Sequence, residues 1–394
     1  MLDKTGRNLI GDIAPHIASL PESGIIEIFN YGRKYDDLIK LWVGEGDQPT
    51  PRFICDAAMA ALHDGETFYT WQRGIPPLRA ALGDYLGNLH GTAVDSERVF
   101  VTVGGMQAIL QTAQMLISAG DEAVIPTPVW PNIFHAVHVC GGNPVHVPLE
   151  LTEAGWRLDL DHYFDACGPR TRFLFVNSPG NPTGWVMPRE DMVRVRDFAR
   201  DRGLWIVADE VYSRFYYGDD GAVAPSFLEI MEPDEKLIVV NTFSKNWAMS
   251  GWRIGWLVAP VEIGQAYENL TQYNTSGVAG FLQFGALTAV RDGEPFAAET
   301  IARSRAGREL ICHRLRDFPR LRFADPAGAF YLLFAVDGEP DARALAMRMV
   351  DEARVGLAPG TAFGAGGDGY LRLCFATAES LLDEAVDRLA PIFR

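Results

Sequence analysis

Short runs of β-branched and aromatic residues recur through the middle of the chain, and several are apolar on both faces. They span residues 98–105, 121–128, 143–149, 172–179, 204–211, 236–244 and 254–260. Segments with helical periodicity separate them, such as 106–120, which stops at Gly120, and 188–203, which starts at Pro188 and stops at Gly203. Strands that are apolar on both faces and alternate with helices are typical of a sheet covered on both sides. The pattern predicts an α/β fold with a mainly parallel central sheet and right-handed crossovers.

The last third of the chain has a different pattern. A long charged helical segment at 295–318 precedes the apolar run "GAFYLLFAV", a helix at 339–353, the run "YLRLCFAT" and a final helix at 379–392. This order predicts a smaller α+β domain. Since 394 residues are many for one core, we expect three parts. They are an N-terminal segment (1–44) that joins the small domain, a large ligand-binding domain (45–285) and the small C-terminal domain (286–394).

Charge and cysteine usage narrow the partners and the compartment. The net charge of −16 argues against nucleic acid or an anionic membrane as the main partner. There is no run of 18 apolar residues, and the N-terminus does not resemble a signal peptide. Five scattered cysteines without a CxxC pair indicate free thiols in a reducing compartment, so we expect a cytoplasmic protein. His135 and His138 have helical spacing but no third ligand nearby, so no metal site is predicted.

Polar residues and glycines follow the apolar runs, at the sheet edge where open α/β proteins bind ligands. They are Gly104, Gly105 and Met106 after the first run, Trp130 after the second, Asn181 in "NSPGNPTG", Asp209 and Tyr212 in "VADEVY", and Ser244, Lys245 and Arg253 after the sixth. Each of these alone is more often structural, as a turn, a cap or a surface charge. Together they predict one binding site.

One end of this site suits a phosphate group. The amides of Gly105 and Met106 open a helix and form a natural phosphate cradle. Ser244 offers a hydroxyl and Arg253 a bidentate cation. Trp130 offers a flat face on which an aromatic ring can stack.

The other groups suit an electron-poor ring with an aldehyde. A carboxylate buried alone in an apolar strand is costly, and a ring-nitrogen cation is a suitable partner for Asp209. Either Tyr212 or Asn181 can hydrogen-bond a ring oxygen. Of the five lysines, only Lys245 follows an apolar strand of the sheet region. A lysine amine forms a Schiff base with pyridoxal phosphate, which is the cofactor that these groups predict.

The same residues resemble the class I aminotransferases, the aspartate-aminotransferase-like family of fold-type I pyridoxal-phosphate enzymes. The motif Ser-Lys-x5-Gly-x-Arg-x-Gly stands at 244–255, and the segments "NSPGNPTG", "VADEVY" and "FYTWQRGIPPLRAAL" are similar to family segments. The resemblance extends from "LWVGEGDQPTP" (41–51) to "YLRLCFATAES" (370–380). It implies an enzyme that moves the α-amino group of an L-amino acid to a 2-oxo acid by a ping-pong mechanism.

The resemblance also implies catalytic and cofactor-binding roles. Lys245 would hold the cofactor as an internal aldimine and shuttle a proton between Cα and C4′. Asp209 would keep the ring nitrogen protonated. Tyr212 and Asn181 would bond the phenolate oxygen. Phosphate would be held by Ser244, Arg253 and the amides of Gly105 and Met106.

Substrate and subunit roles follow from the same resemblance. Arg372 in "YLRLCFA" would pair with the substrate α-carboxylate, helped by Asn181 and the backbone of Gly44. Tyr69 would reach the phosphate of the neighbouring subunit. A homodimer with shared active sites is therefore expected.

The identity of the substrate stays open at this point. Met106 stands where many family members have Ser, Thr or Lys, and with Trp71 and Trp130 it suggests an apolar or aromatic lining. Aromatic or neutral donors and aspartate all remain candidates. An acceptor such as 2-oxoglutarate needs a second cation, for which Arg73 is the candidate, and a structural or surface role is the alternative for this arginine.

Other functions are compatible with parts of the pattern. A pyridoxal-phosphate lyase or cyclising enzyme would use the same residues around Lys245. A nucleotide-binding oxidoreductase would need a G-x-G-x-x-G turn after a strand, which the sequence lacks. A ligand-sensing protein would need an added DNA-binding module, for which this acidic chain has no room.

Overall fold

The computed structural model describes residues 9–218 and 221–394, so Lys4 and the rest of residues 1–8 lie outside the described part. The helices, numbered in chain order, are α1 (Pro15–Ala18), α2 (Gly24–Gly32), α3 (Arg52–His63), α4 (Pro76–His90), α5 (Gly104–Leu116), α6 (Asn132–Val139), α7 (Leu160–Asp165), α8 (Arg189–Arg202), α9 (Phe243–Asn246), α10 (Gly264–Gln272), α11 (Gly280–Asp292), α12 (Glu294–Leu315), α13 (Ala342–Arg348) and α14 (Glu379–Phe393). The strands are β1 (Ile39–Lys40), β2 (Val99–Thr102), β3 (Glu122–Thr127), β4 (Asn143–Pro148), β5 (Glu150–Thr152), β6 (Gly155–Arg157), β7 (Thr171–Asn177), β8 (Trp205–Asp209), β9 (Leu237–Thr242), β10 (Gly255–Val258), β11 (Leu321–Phe323), β12 (Tyr331–Val336), β13 (Val355–Gly356), β14 (Ala358–Pro359) and β15 (Tyr370–Cys374).

All seven predicted strands of the central sheet form one sheet in the order β2-β10-β9-β8-β7-β3-β4. Neighbours from β9 to β4 are parallel, whereas β10 runs antiparallel to both β2 and β9. The α/β prediction is confirmed, with one inverted strand in a mainly parallel sheet.

Both faces of this sheet are buried, as the continuous apolar runs predict. Successive residues of a strand point to opposite faces. Accordingly, Leu174 and Val176 of β7 pack in one apolar cluster, and Phe173 and Phe175 of the same strand pack in another. Helices lie against each cluster, so the polar groups of the site are confined to the strand ends.

The small domain contains a four-stranded antiparallel sheet in the order β11-β12-β15-β14. Part of the N-terminal segment packs in the same core: Ile28, Leu41 and Trp42 belong to the apolar cluster that also contains Leu332 and Leu389. In addition, β1 pairs in parallel with β13. The division of these cores supports the domain boundaries proposed from the sequence (1–44, 45–285 and 286–394), which remain a proposal.

Several helix ends differ from the sequence prediction. The helix predicted at 106–120 begins two residues earlier and ends at Leu116, while Gly120 lies in the following turn with φ +82°. The helix predicted at 339–353 is α-helical only from Ala342 to Arg348 and then widens into a π turn. Gly203 caps α8 in the left-handed conformation, as predicted.

Three further features concern the predicted compartment and partners. Among the described residues, no helix combines the length and hydropathy that a membrane span requires. All five cysteines are free thiols. In the described parts of the chain, no group of three or more His, Cys, Asp or Glu residues is arranged to hold a metal ion, and His135 and His138 lie on α6.

Candidate active site

The chemistry-bearing residues meet because the parallel strands end at one edge of the sheet. Asp209 is the last residue of β8, and Lys245 lies three residues after the end of β9. Arg253 precedes β10 rather than following it. Because β10 is antiparallel and its Gly255 pairs with Thr242 at the end of β9, the start of β10 lies at this same edge.

A cavity of about 450 Å³ opens at this edge, between the large domain and the small domain. Every predicted cofactor or substrate residue except Tyr69 lines it: Gly44, Gly105, Met106, Trp130, Asn181, Asp209, Tyr212, Ser244, Lys245, Arg253 and Arg372. The N-terminal segment and the small domain therefore complete a site that the large domain begins.

Lys245 reaches into this cavity from α9. Its Nζ donates a hydrogen bond to the carbonyl oxygen of Gly44 at 2.6 Å and forms no ion pair with a described residue. Burial lowers the pKa of the Lys245 amine to about 8, and the positive charges of Arg372 and Arg253 act in the same direction, while Glu45 opposes them. A large fraction of this amine is therefore neutral, and hence nucleophilic, near pH 8.

Asp209 is only 3% exposed and pairs with no described cation. Its Oδ1 accepts one hydrogen bond, from the amide of Val211 at 3.3 Å. Burial raises the pKa of the Asp209 carboxyl to about 7, partly offset by that amide and by Lys245. A buried carboxylate with one long hydrogen bond is costly for the folded chain, and a cationic ligand would remove the cost.

Tyr212 is held by a second tyrosine that the sequence analysis did not single out. The hydroxyls of Tyr212 and Tyr331 lie 2.7 Å apart, and the two rings pack edge to face. A Cβ at Gly44 would lie 2.2 Å from the Tyr331 hydroxyl, so only glycine fits there. Gly44 therefore allows Tyr331 to orient Tyr212, and its carbonyl also positions Lys245.

Arg372 is a buried guanidinium without a carboxylate partner among the described residues. Its Nη1 donates to Asn181 Oδ1 at 3.0 Å and its Nη2 donates to the carbonyl of Trp42. The guanidinium lies 4.6 Å from the ring centre of Tyr331. Its buried Nε has no hydrogen-bond partner in the described chain. This arrangement can receive an anion in the cavity.

The opposite end of the cavity has the features of an anion cradle. Helix α5 begins at Gly104 without a side-chain cap, so its first amides keep their hydrogen-bonding capacity. Arg253 lies alongside with its Nη1 donating to the carbonyl of Ser250 at 2.7 Å. A Cβ at Gly104 would approach Arg253 Nη2 to 2.6 Å, so this glycine lets the guanidinium close on the helix start. Ser244 completes the cradle, with its hydroxyl 2.9 Å from that of Thr242.

The residues predicted to act from a neighbouring subunit lie outside the cavity of their own chain. Tyr69 is 93% exposed and Trp71 is also exposed. Arg73 is tied into its own chain by ion pairs to Glu97 at 3.2 Å and to Glu268 at 2.6 Å. These ion pairs favour the structural alternative for Arg73.

Sequence reasoning missed some cavity residues. Asn177 and Thr242 end β7 and β9, so the strand-end argument that found Asp209 would have found them as well. Tyr331 lies inside an apolar strand without a motif. The α2 residues Ile25 and Phe29 belong to a segment that carries no recognised chemistry, and their place in the cavity wall follows only from packing of the small domain.

Comparisons with known proteins agree with this site. Residues 36–389 match the family model of class I and II aminotransferases. The chain is 33% identical over 380 residues to an aspartate aminotransferase of Pyrococcus horikoshii, covering 96% of both proteins. It is 35% identical over 376 residues to aromatic-amino-acid aminotransferase 2 of Thermococcus litoralis, covering 94% of this chain and 96% of the relative. The crystal structure of the Thermus thermophilus aspartate aminotransferase with maleate is 32% identical and superposes with a TM-score of 0.89 over 96% of this chain and 99% of the other.

The chain therefore belongs to the class I and II aminotransferase family. It is an aminotransferase that uses pyridoxal phosphate. The cavity fits this cofactor on its own terms. It contains a buried carboxylate without a cation, an uncapped helix start beside an arginine, and an amine with a lowered pKa.

Proposed function

We propose that this aminotransferase holds pyridoxal phosphate through the amine of Lys245 and uses the same amine to move the proton at the substrate Cα. When bound, the cofactor supplies an electron sink that stabilises negative charge at Cα. A pKa of about 8 suits Lys245 to both tasks, because an acid–base group works best when its pKa is near the operating pH.

Asp209 holds the proton on the ring nitrogen in this proposal. The cationic ring nitrogen is the partner that its isolated carboxylate lacks, and in return the negative charge keeps that nitrogen protonated. Tyr212 donates its hydroxyl to the ring oxygen while it accepts from Tyr331. Asn181 uses Oδ1 for Arg372, which leaves its Nδ2 to donate to the same ring oxygen.

Phosphate is bound by the amides of Gly105 and Met106, the Ser244 hydroxyl and Arg253. Trp130 stacks on the ring. At the other end of the cavity Arg372 pairs with the α-carboxylate of an L-amino acid or a 2-oxo acid, assisted by the backbone of Gly44. This polarity places the substrate Cα next to Lys245.

We further propose a cytoplasmic homodimer with shared active sites. The exposed aromatic side chains of Phe68, Tyr69 and Trp71 form an apolar surface of a kind that marks an interface. In the dimer Tyr69 adds a hydroxyl to the partner's phosphate site. Sedimentation equilibrium tests the dimer, and Tyr69→Phe should weaken retention of the cofactor without changing that mass.

The meeting of Lys245, Asp209 and Arg372 in one cavity is the observation that carries the proposal. The test is borohydride reduction of the holoenzyme followed by peptide mapping, together with a panel of L-amino acids against 2-oxo acids, monitored by cofactor absorbance. We expect the reduced adduct on Lys245 and transfer of the amino group with at least one donor. An adduct on another lysine, or elimination without transfer, would contradict the proposal.

A further inference from the structure

The charges that line the cavity are few, and each cation already has a task. Within the described residues the lining contains three cations, Lys245, Arg253 and Arg372, and two carboxylates, Glu45 and Asp209. The first two cations serve the cofactor and Arg372 serves the α-carboxylate. The lining therefore provides no cation for a second carboxylate on the substrate.

An apolar wall occupies the side of the cavity that faces the N-terminal segment. Ile25, Ile26 and Phe29 of α2 line the cavity together with Met106 and Trp130. Ile25 and Phe29 are four residues apart and so lie on the same face of the helix. Ile26 is 49% exposed, and its apolar surface would be covered by an apolar ligand group.

Helix α2 is fixed to the small domain, so this wall has a defined position. The carboxylate of Glu27 forms an ion pair with Arg343. The hydroxyl of Tyr31 donates to Asp351 at 2.6 Å. The ring of Phe29 packs edge-on against Trp42 at 5.9 Å between ring centres. These contacts hold the apolar face of α2 toward the cavity.

We propose that this wall selects amino donors with uncharged, apolar side chains, aliphatic or aromatic, and discriminates against aspartate and glutamate. The inference rests on the proposed binding of the α-carboxylate by Arg372. An apolar side chain covers the wall, whereas a second carboxylate would lose water next to it without gaining a cation or a set of hydrogen-bond donors. The specificity therefore differs from that named for the aspartate aminotransferases to which the chain is similar.

Binding of unreactive carboxylates to the holoenzyme tests the wall separately from catalysis. The probes are 4-methylpentanoate and 3-phenylpropionate, compared with succinate, each titrated by calorimetry. We expect the apolar probes to bind at least about tenfold more tightly than succinate, a difference of roughly 1.4 kcal/mol. Succinate binding as tightly as, or more tightly than, both apolar probes would overturn the inference.

The variant Ile26→Lys tests whether α2 is the selecting element. It adds a cation on the wall, so we expect the preference for apolar probes over succinate to shrink by about tenfold. Leu381→Lys is the matched control, because Leu381 is 40% exposed on α14 and does not line the cavity. It should leave the preference unchanged. An unchanged preference in Ile26→Lys, or an equal change in both variants, would refute the role of α2.

The donor panel keeps this inference distinct from the proposed function. Single-turnover absorbance changes should be faster with L-leucine or L-phenylalanine than with L-aspartate. If no donor changes the cofactor spectrum, the proposed transfer fails, while the ratio of dissociation constants still decides the question of the wall. If L-aspartate reacts fastest, the transfer stands and the inference fails.

Discussion

Two neighbouring carboxylates, Asp209 and Glu210, differ in how the chain satisfies them. Both are almost fully buried, at 3% and 4% exposure, and burial raises the pKa of both. Glu210 accepts hydrogen bonds from the Ser226 hydroxyl at 2.7 Å and the Phe227 amide at 3.1 Å. Asp209 has only the 3.3 Å contact with the Val211 amide. The chain completes the surroundings of Glu210 and leaves those of Asp209 for a ligand.

The same contrast separates two buried arginines. Arg214 forms a bidentate pair with Glu294, with distances of 2.9 and 2.6 Å. Arg372 has no carboxylate partner among the described residues, and its Nε lacks a hydrogen bond there. Since buried charges are normally paired, an unpaired one in a cavity indicates a binding role, and a paired one indicates a structural role. Each prediction below compares one member of each kind.

The largest effect is expected at Lys245. Lys245→Ala removes the amine that holds the cofactor and moves the Cα proton, so steady-state turnover should fall by roughly 10⁴-fold or more. Cofactor should still bind noncovalently, as equilibrium dialysis would detect. Lys236→Ala is the control, because its Nζ only donates to the carbonyl of Gly203 at 2.7 Å. Substantial turnover in Lys245→Ala would exclude the proposed role.

A smaller but still large effect is expected from loss of the cavity carboxylate. Asp209→Ala should lower kcat on the order of 10²- to 10³-fold, because the charge that keeps the ring nitrogen protonated is lost. Asp209→Glu keeps the charge and should retain far more activity. The measurement is kcat with cofactor occupancy determined in parallel. An alanine variant that is fully loaded and nearly as active as the wild type would contradict this account.

The two carboxylates should also differ in how they affect the stability of the cofactor-free protein. Asp209 has a folded-state pKa of about 7 against 3.8 for the ordinary group, so the folded protein binds this proton more tightly than the unfolded chain. The resulting penalty is absent below about pH 4 and complete above about pH 7. Asp209→Asn should therefore raise the free energy of unfolding at pH 8 by up to about 4 kcal/mol, from 1.36 kcal/mol per pKa unit.

Denaturant unfolding of the cofactor-free protein at pH 5 and pH 8 measures this effect. The gain from Asp209→Asn should shrink at pH 5, where the wild-type carboxyl is largely protonated. Glu210→Gln replaces a satisfied acceptor pair and should instead destabilise the protein by about 1–3 kcal/mol. Equal destabilisation by both variants at pH 8 would mean that Asp209 is as well satisfied as Glu210.

The sequence is informative about this contrast only where a residue's surroundings are local. Asp209 and Lys245 were predictable because both stand at or just after the ends of apolar parallel strands, which must share one edge of the sheet. The ladder position of β10 explains why Arg253 joins them, although it precedes its strand. That inversion depends on long-range pairing, which a periodic pattern does not encode.

Other parts of the site depend on contacts between distant segments. The wall formed by Ile25 and Phe29 requires α2 to dock on the small domain, and nothing in its own pattern distinguishes it from an ordinary amphipathic helix. The pairing of Tyr212 with Tyr331 joins residues 119 positions apart. Helix ends were also misplaced: α5 stops at Leu116 rather than Gly120, because a short irregular turn separates the helix from the glycine.

A moderate effect is expected at the substrate anchor. Arg372→Lys cannot reproduce the bidentate geometry of a guanidinium, so kcat/KM should fall by about 10- to 100-fold for all amino and oxo substrates, whatever their side chains. Arg214→Lys is the matched control: it should lower stability through its pair with Glu294 and leave substrate affinity unchanged. A loss in Arg372→Lys that depends on the substrate side chain would move this arginine from the α-carboxylate to the distal end.

The smallest effect is expected at Arg73, which the comparison places among the satisfied residues. Its guanidinium pairs with Glu97 and Glu268, stacks 5.1 Å from the ring centre of Phe100, and lies where a Cβ at Gly264 would come within 2.5 Å. A charge with two carboxylate partners has little capacity for a third. Arg73→Ala should therefore cost about 1 kcal/mol of stability, a typical value for partly exposed ion pairs. It should change kcat/KM for dicarboxylic and neutral donors by the same small factor. Arg170→Ala is the control, since its exposed side chain lies 3.7 Å from Glu122 and should cost less. If Arg73→Ala instead impaired only L-aspartate and 2-oxoglutarate, Arg73 would be the second cation of the site in the dimer, and the rule that paired charges are structural would fail at this position.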